Sequence, residues 1–414
     1  MSRLIINGQR RLSGSYTPVG NKNAALPMLA ACLLTDGAVT LHNVPMIQDV
    51  LVMLELLTQL GVEVSTDDRS VTLRARSVKS RKLDRDLCRR VRASILLAGP
   101  LAAAHGRAVV YPPGGDVIGR RRLDTHFQGL RALGIAVEGG EFFTFRRKSL
   151  KGADLLLDEA SVTATENIVM AACLAEGETR IFNAACEPHV QDLCALLVKM
   201  GAKIEGVGTN LLVIRGVQRL RGAEHTVGID YIELGSYIAA AAATHGTITV
   251  PPIDDPFESM RVINRSFAKL GVGSKTLRVQ KDVGAAIPKI EDGAWPAFPS
   301  DLMSVAIVLA TQAKGTVLFF EKMFESRMYF VDRLIEMGAQ IIQCDPHRVV
   351  VQGPARLNGI HMSSPDIRAG MALVIAALCA KGQSVIENAQ MIDRGYERID
   401  ERLRALGADV EREE

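Results

Sequence analysis

An α/β fold of two domains, each built from three copies of one unit, is predicted by three features of the sequence. These are its length and two glycine signals that return at the same interval. At 414 residues the chain exceeds what one hydrophobic core usually supports. The first signal is Gly37, Gly106, Gly177, Gly246, Gly315 and Gly382, spaced 69, 71, 69, 69 and 67 residues apart. Each closes an Ala-rich apolar run and opens a β-branched one, as in "LAACLLTDGAVTLHNV" and "VIAALCAKGQSVIENA". The second is Gly61, Gly134, Gly201, Gly271, Gly338 and Gly407, each after Leu or Met, spaced 73, 67, 70, 67 and 69 apart. Two markers with one period define six repeats of about 69 residues.

In chain order each repeat reads helix, glycine stop, strand, loop, second helix, glycine stop, strands. Glycine just past a helix is the expected C-terminal stop. The first helix is apolar on nearly all sides and is expected to be buried. The second, as in "HVQDLCALLVKMG" and "RGYERIDERLRALG", is amphipathic and is expected to face solvent. Buried central helices with sheets outside them follow. The sixth repeat runs out of chain after "LGADVEREE", and the strand-like "RLIING" and "RLSGSYTPV" within residues 1–20 can complete it. The domains are therefore expected at 21–229 and at 1–20 plus 230–414, three repeats each.

Composition excludes some classes. Lys+Arg outnumber Asp+Glu by only 49 to 46, which gives no support to nucleic-acid or membrane-surface binding. The seven cysteines form no CxxC pair and no metal-like spacing, and they read as small buried hydrophobes in a reducing compartment. "MSRLIINGQRR" lacks the apolar stretch of a secretory leader, and no run is long and apolar enough to span a membrane. A cytoplasmic protein is expected. Walker A, GxGxxG, HExxH and GxSxG motifs are absent, which disfavours an ATPase, a nicotinamide enzyme and a zinc hydrolase.

Cations recur where the central helices start and where the following strands end: Lys22, Arg92, Arg121, Arg327, Arg368 and Arg394. A helix start favours anions, so a cation there is locally unfavourable. Any one of these can be a salt-bridged surface group. Together they point to a cleft for a small ligand carrying phosphate and carboxylate, which guanidinium groups hold bidentately. Two acids interrupt the pattern. Asp116 sits on the hinge of "YPPGGDVIGRRRLDTH", and Asp301 follows the stiff "PAFPS". Each can be an ion-pair partner, or the two can be the proton donor and acceptor that chemistry on an anionic substrate needs.

The segments "KNAALP", "RASILLAGPL", "PGGDVIGRRRLDTH", "ATENIVMAA", "PAFPSDL" and "IDRGYERI" are, taken together, specific. Through them the chain resembles, over essentially its whole length, the bacterial UDP-N-acetylglucosamine 1-carboxyvinyltransferase family. Its sister family, 5-enolpyruvylshikimate-3-phosphate synthase, shares the six-unit fold but not these motifs. The resemblance implies a two-domain inside-out α/β barrel and a mobile loop at 111–122. It also implies transfer of the enolpyruvyl group of phosphoenolpyruvate to the 3-hydroxyl of UDP-N-acetylglucosamine, with release of phosphate and without cofactor or metal. A monomer that closes its domains around the substrates is the implied state.

Position by position, Lys22, Arg121 and Arg394 match ligands of the phosphate and carboxylate of phosphoenolpyruvate, Asn23 adjoins them, and Arg327 matches a further active-site arginine. Arg92, the run Arg121, Arg122, Leu123, Asp124 and Thr125, the run Ser161, Val162 and Thr163, and Asp301 and Met323 match nucleotide-sugar contacts. Asp301 matches the acid lying against the sugar 3-hydroxyl. Asp366 and Arg368 lie in another family motif. Asp116 stands where most members carry a cysteine, the target of fosfomycin, so insensitivity to that drug is expected. Further departures are Arg122, Thr163 in place of a usual Gly, Tyr231 in place of a frequent Arg and Met391 in place of a common His. They leave open a paralogue acting on another nucleotide or nucleotide sugar, or a nucleotide-sugar binder without activity.

Overall fold

The computed structural model describes residues 2–115 and 118–414, and they fall into two compact units. One unit holds residues 2–18, 118–120 and 230–414, and the other holds 19–115 and 121–229.

The unit around residues 19–229 is built on the central helices Lys22–Ala31, Ala98–His105 and Val162–Ala172. Their alanine-rich, largely apolar surfaces let them pack side by side. Every residue of the last from Ala164 to Ala172 is buried, Glu166 and Asn167 included. The sheets lie outside. Glu178–Phe182 pairs parallel with Asp154–Leu156 and antiparallel with Leu211–Arg215, which pairs in turn with Lys203–Glu205. This order is that of a strand, a crossover through the central helix, a parallel strand and then a hairpin. The sheet Ala223–Thr226, Val39–His42, Ser70–Arg74, Glu63–Asp67 repeats it. Ala223–Thr226 comes from the far end of the unit yet pairs beside Val39–His42, so the third repeat closes onto the first. An antiparallel bridge, Gly20 to Ile229, ties the entry of the chain to its exit.

The unit containing residues 230–414 uses Tyr231–Ala243, Met303–Gln312 and Ile367–Cys379 in the same way. Its last sheet shows what completes the sixth repeat. Arg3–Asn7 lies between Gln383–Glu387 and Asp409–Glu413, antiparallel to both, with Leu4 and Ile6 fully buried. Each unit thus has apolar helices within and sheets without, the inside-out α/β arrangement. The barrel is formed of separate sheets, six among the described residues, rather than one closed ladder.

The second helices, Gln48–Leu60, Asp124–Ala132, Pro188–Lys199, Ser259–Ala268, Val331–Glu336 and Ile399–Ala405, bury one face and expose the other. The last departs from the sequence pattern. "RGYERIDERLRALG" suggests one helix from Arg394, but Arg398 takes a φ of 45° and the helix begins only at Ile399. A 3-10 turn, Ala389–Arg394, precedes it and sets Arg394 at its end. The buried cysteines, including Cys32 and Cys173, have thiols pushed upward by burial, whereas Cys344 is exposed. No helix among the described residues is long and apolar enough to cross a membrane.

The glycine markers serve two physical ends. All six of the Leu-Gly and Met-Gly series adopt positive φ, as a left-handed helix stop requires. Gly246 does not; a Cβ there would lie 1.9 Å from the carbonyl oxygen of Leu12, so this glycine permits a close backbone approach. Gly106 has φ +82° with nothing within 4 Å of its Cβ position. Gly246→Ala is therefore expected to cost about 1–3 kcal/mol, the scale of an overpacked core. Gly106→Asn is expected to cost less, about 1 kcal/mol, because Asn visits the left-handed region more readily than other residues with a side chain. Urea unfolding of the two variants measures both, and equal losses would contradict the assignment.

Candidate active site

In the 19–229 unit the Lys22–Ala31 helix starts after Asn21, whose side chain caps it by accepting from Ala24 N–H at 3.1 Å. Lys22 is its first residue and is nearly buried. Its Nζ lies 2.7 Å from Oδ2 of Asp49, also buried, which sits in the first turn of the neighbouring Gln48–Leu60 helix. The cation at a positive helix end is thus held by an acid from the next element, and Asn23 follows it half-buried. Arg92 opens the 3-10 segment Arg92–Leu97. Its Nη2 donates to the carbonyls of Arg121 and, at 3.2 Å, Arg122, so one guanidinium fixes the backbone of the arginine run. Burial, and then the charge of Arg121, pull Arg92 down to about 10, still cationic at neutral pH.

Arg122 turns outward, with Nε 2.5 Å from Oδ2 of Asp124, and both are exposed. Thr125 is buried, its hydroxyl 3.5 Å from Oε1 of Glu159, and Leu123 is half-buried. Ser161, Val162 and Thr163 form the partly exposed start of the Val162–Ala172 helix. Thr163 Oγ1 lies 3.1 Å from Nε2 of His126, whose Nδ1 faces Asn167 Nδ2 at 3.1 Å. Burial, and then Arg92, lower His126 to about 3, so the ring is neutral. These contacts tie the start of the central helix Val162–Ala172 to the start of the second helix Asp124–Ala132.

In the 230–414 unit Asp301 lies in the short turn Ser300–Leu302 that leads into Met303–Gln312. Its Oδ1 accepts from Arg327 Nη2 at 3.0 Å and its Oδ2 from Arg368 Nε at 3.1 Å. The guanidinium side chains are 2% and 5% exposed and the carboxylate 30%, so rigid donors hold an acid that solvent still reaches. Arg327 lies over Phe324 at 5.1 Å and Arg368 over Tyr396 at 5.3 Å. The Tyr396 hydroxyl lies 2.9 Å from Ser236 Oγ. Burial would lower Arg368, but Asp301, Tyr396 and Asp230 together outweigh it and the guanidinium is held above its ordinary range. Asp366 caps the Ile367–Cys379 helix, accepting from Arg368 N–H (2.8 Å) and Ala369 N–H (2.9 Å). The carbonyl of Ile118 accepts from Ser326 N–H and Glu325 accepts from Arg120 N–H, each at 3.1 Å.

Behind Asp301 lies a second carboxylate layer. Glu321 is fully buried, accepts from Ser300 Oγ at 3.0 Å and from Met323 and Phe324 N–H at 3.0 Å, and lies 3.8 Å from Arg327 Nε. Buried Asp292 accepts from Lys322 N–H at 2.6 Å and lies close enough to act on Glu321. Burial, then Asp292, raise Glu321 to about 8. Met323 itself is 43% exposed.

The structure brings together Asp301 and Arg327, and separately Arg92 with the backbone of Arg121 and Arg122. Arg394 ends the Ala389–Arg394 turn, half-buried, and Asp116 lies outside the described residues. Sequence reasoning did not find Asp49, His126, Asn167, Asp292 or Glu321. Their signal is faint, a lone polar residue in a helix or just past a strand, and their partners are remote in sequence. The arrangement offers an oriented carboxylate for a hydroxyl proton, and cations fixed by buried acids for anionic groups.

A family model described as EPSP synthase (3-phosphoshikimate 1-carboxyvinyltransferase) matches residues 6–403. A UDP-N-acetylglucosamine 1-carboxyvinyltransferase of Treponema denticola is 51% identical over 427 residues, covering 100% of this chain and 100% of that protein. One from Bradyrhizobium diazoefficiens is 52% identical over 421 residues, covering 99% and 97%. Among solved structures, the enolpyruvyl transferase NikO from Streptomyces tendae superposes with a TM-score of 0.85 at 23% identity, covering 99% of this chain and 98% of that one. EPSP synthase from Acinetobacter baumannii does so at 0.76 and 18%, covering 100% of both chains. At those identities the structural likenesses show the fold alone.

Glu321 makes stability depend on pH. Its folded value, about 8, lies above the ordinary 4.5. Between those values the folded protein keeps a proton that the unfolded chain has released. The linked stabilisation is full below about pH 4.5 and is lost as pH rises through about 8. Gln carries no such proton, so the stability of Glu321→Gln relative to wild type is expected to grow from pH 5 to pH 9. Unfolding midpoints at pH 5, 7 and 9 measure it, and a gap that does not change with pH would contradict the proton's placement.

Proposed function

We infer that this chain, which belongs to the EPSP synthase (3-phosphoshikimate 1-carboxyvinyltransferase) family and within it to the UDP-N-acetylglucosamine 1-carboxyvinyltransferases, acts in peptidoglycan synthesis. It transfers the enolpyruvyl group of phosphoenolpyruvate to the 3-hydroxyl of UDP-N-acetylglucosamine and releases phosphate. Half-identity along the full length of relatives so named supports the substrates. The observation that carries the chemistry is the Asp301 carboxylate gripped by Arg327 and Arg368 while still open to solvent.

The reaction proceeds by addition and elimination. A proton is delivered to C3 of phosphoenolpyruvate, and the positive charge that develops at C2 draws the sugar 3-hydroxyl. As the new C–O bond forms, Asp301 takes the hydroxyl proton. Its orientation is fixed by two buried guanidinium groups, so no reorganisation is needed at that moment. The tetrahedral adduct then loses the C3 proton and the phosphate together. In this reading Lys22, Arg121, Arg327 and Arg394, with Asn23, hold the phosphate and carboxylate of phosphoenolpyruvate. Asp49 keeps the Lys22 ammonium in place. Arg92, the 121–125 run, Ser161, Val162, Thr163 and Met323 serve the nucleotide sugar. Arg92 does so by fixing the arginine backbone, and Arg122, paired outward to Asp124, contributes least. Asp116 is the proton donor in place of the family's cysteine, since a carboxyl can deliver a proton as a thiol can. The enzyme is proposed to be a cytoplasmic monomer.

Phosphate release from phosphoenolpyruvate and UDP-N-acetylglucosamine tests this. Wild type is expected to turn over and to resist fosfomycin. Asp116→Cys is expected to be active and newly sensitive to the drug, and Asp116→Asn inactive. Asp301→Asn is expected to lose about 10²–10⁴ in kcat, the scale of general-base catalysis. An active Asp116→Asn would remove Asp116 from the mechanism, and no release by wild type with this acceptor would overturn the reading.

A further inference from the structure

We propose that His126 is a positioning residue that keeps the Thr163 hydroxyl hydrogen available to donate to a phosphate oxygen of the bound nucleotide sugar. The proposal rests on the functional reading above and adds a specificity device to it.

A chain of hydrogen bonds fixes every proton in sequence. The backbone N–H of Gly99 can only donate, and it donates to Oδ1 of Asn167 at 2.7 Å. That identifies the other Asn167 atom as the amide nitrogen, which donates to the carbonyl of Ile95 at 2.8 Å. Its second hydrogen faces Nδ1 of His126 at 3.1 Å, so Nδ1 is the acceptor nitrogen. A neutral imidazole with an acceptor Nδ1 carries its proton on Nε2. Nε2–H then donates to Thr163 Oγ1 at 3.1 Å. The lowered basicity of His126 agrees with a ring that carries one proton. His126 and Asn167 are 1% and 0% exposed, so solvent does not rearrange the chain.

The consequence falls on Thr163, which is half-buried. Its oxygen receives a hydrogen from His126, and no acceptor for its own hydrogen is found among the described residues. The hydroxyl hydrogen is therefore turned away from His126, and a ligand acceptor that meets it gains a hydrogen bond. Arg92, which lies close enough to act on His126, supplies positive charge nearby. A donor hydroxyl held by a ring that feels a guanidinium suits an oxyanion, and in a nucleotide sugar the oxyanions are the diphosphate oxygens. A glycine here, as is usual in the family, would offer no hydroxyl.

Steady-state kinetics and direct binding of UDP-N-acetylglucosamine, together with nitrogen-15 NMR of the histidines, test this. Thr163→Val is expected to raise both KM and Kd for the nucleotide sugar about tenfold, the scale of one hydrogen bond to a charged acceptor, with a smaller change in kcat. Thr163→Ser is expected to stay within about threefold of wild type, since it keeps the hydroxyl. His126→Phe is expected to weaken binding similarly, and to add less than about twofold in the Thr163→Val background, as coupled groups do. NMR of the wild type, which needs no variant to fold, is expected to show His126 neutral with its proton on Nε2. Unchanged KM in Thr163→Val, effects of Phe and Val that multiply, or a proton on Nδ1 would each overturn the proposal alone. No turnover of UDP-N-acetylglucosamine by wild type would overturn the parent reading instead.

Discussion

The central helices are apolar on nearly every side, and much of the molecule follows from that. Such a helix cannot lie on a surface, so three of them pack together in each unit and the sheets are pushed outside. Its side chains offer few polar groups; the unsatisfied N–H groups of its first turn are where most polar and charged groups can gather. In both units they do. Arg92, His126 and Thr163 join two helix starts in one, and Asp301 and Arg368 join two in the other.

Charge at these starts is organised for chemistry rather than for stability. Lys22 and Arg368 stand within the first two residues of their helices, against the helix dipole. Each is offset by a specific acid, Asp49 for Lys22 and Asp301 for Arg368. Around Asp301 the support is layered. Arg327 touches both Asp301 and Glu321, and Glu321 also holds Ser300, Met323 and Phe324. Buried networks of this kind are costly unless every member is satisfied, and what they provide is a fixed direction for each donor. Asp301 is the member left partly open to solvent.

Much of this was legible in the sequence because it is periodic. Glycine spacing located the helix stops, and the run-out of the sixth repeat pointed to the strand that Arg3–Asn7 supplies. The cations at the helix starts and Asp301 could be singled out because they break a local rule, which is visible one residue at a time. The partners could not. Asp49 is one acid on an amphipathic helix, and nothing in "NVPMIQDV" says that it faces Lys22. Glu321 and Asp292 lie 29 residues apart and meet only when Gly315–Phe320 pairs with Lys289–Glu291. The break at Arg398 was also hidden, since "RGYERIDERLRALG" has a good helical pattern and only the φ of one residue interrupts it.

The central claim is that these groups protonate C3 of phosphoenolpyruvate and add a sugar hydroxyl at C2. Its most direct test is mass spectrometry of the product formed from phosphoenolpyruvate and UDP-N-acetylglucosamine in heavy water. A pathway through an intermediate with a methyl group at C3 predicts an enolpyruvyl ether that carries deuterium in its methylene. A product formed at full rate without deuterium would contradict it, because the transfer would then have left C3 untouched.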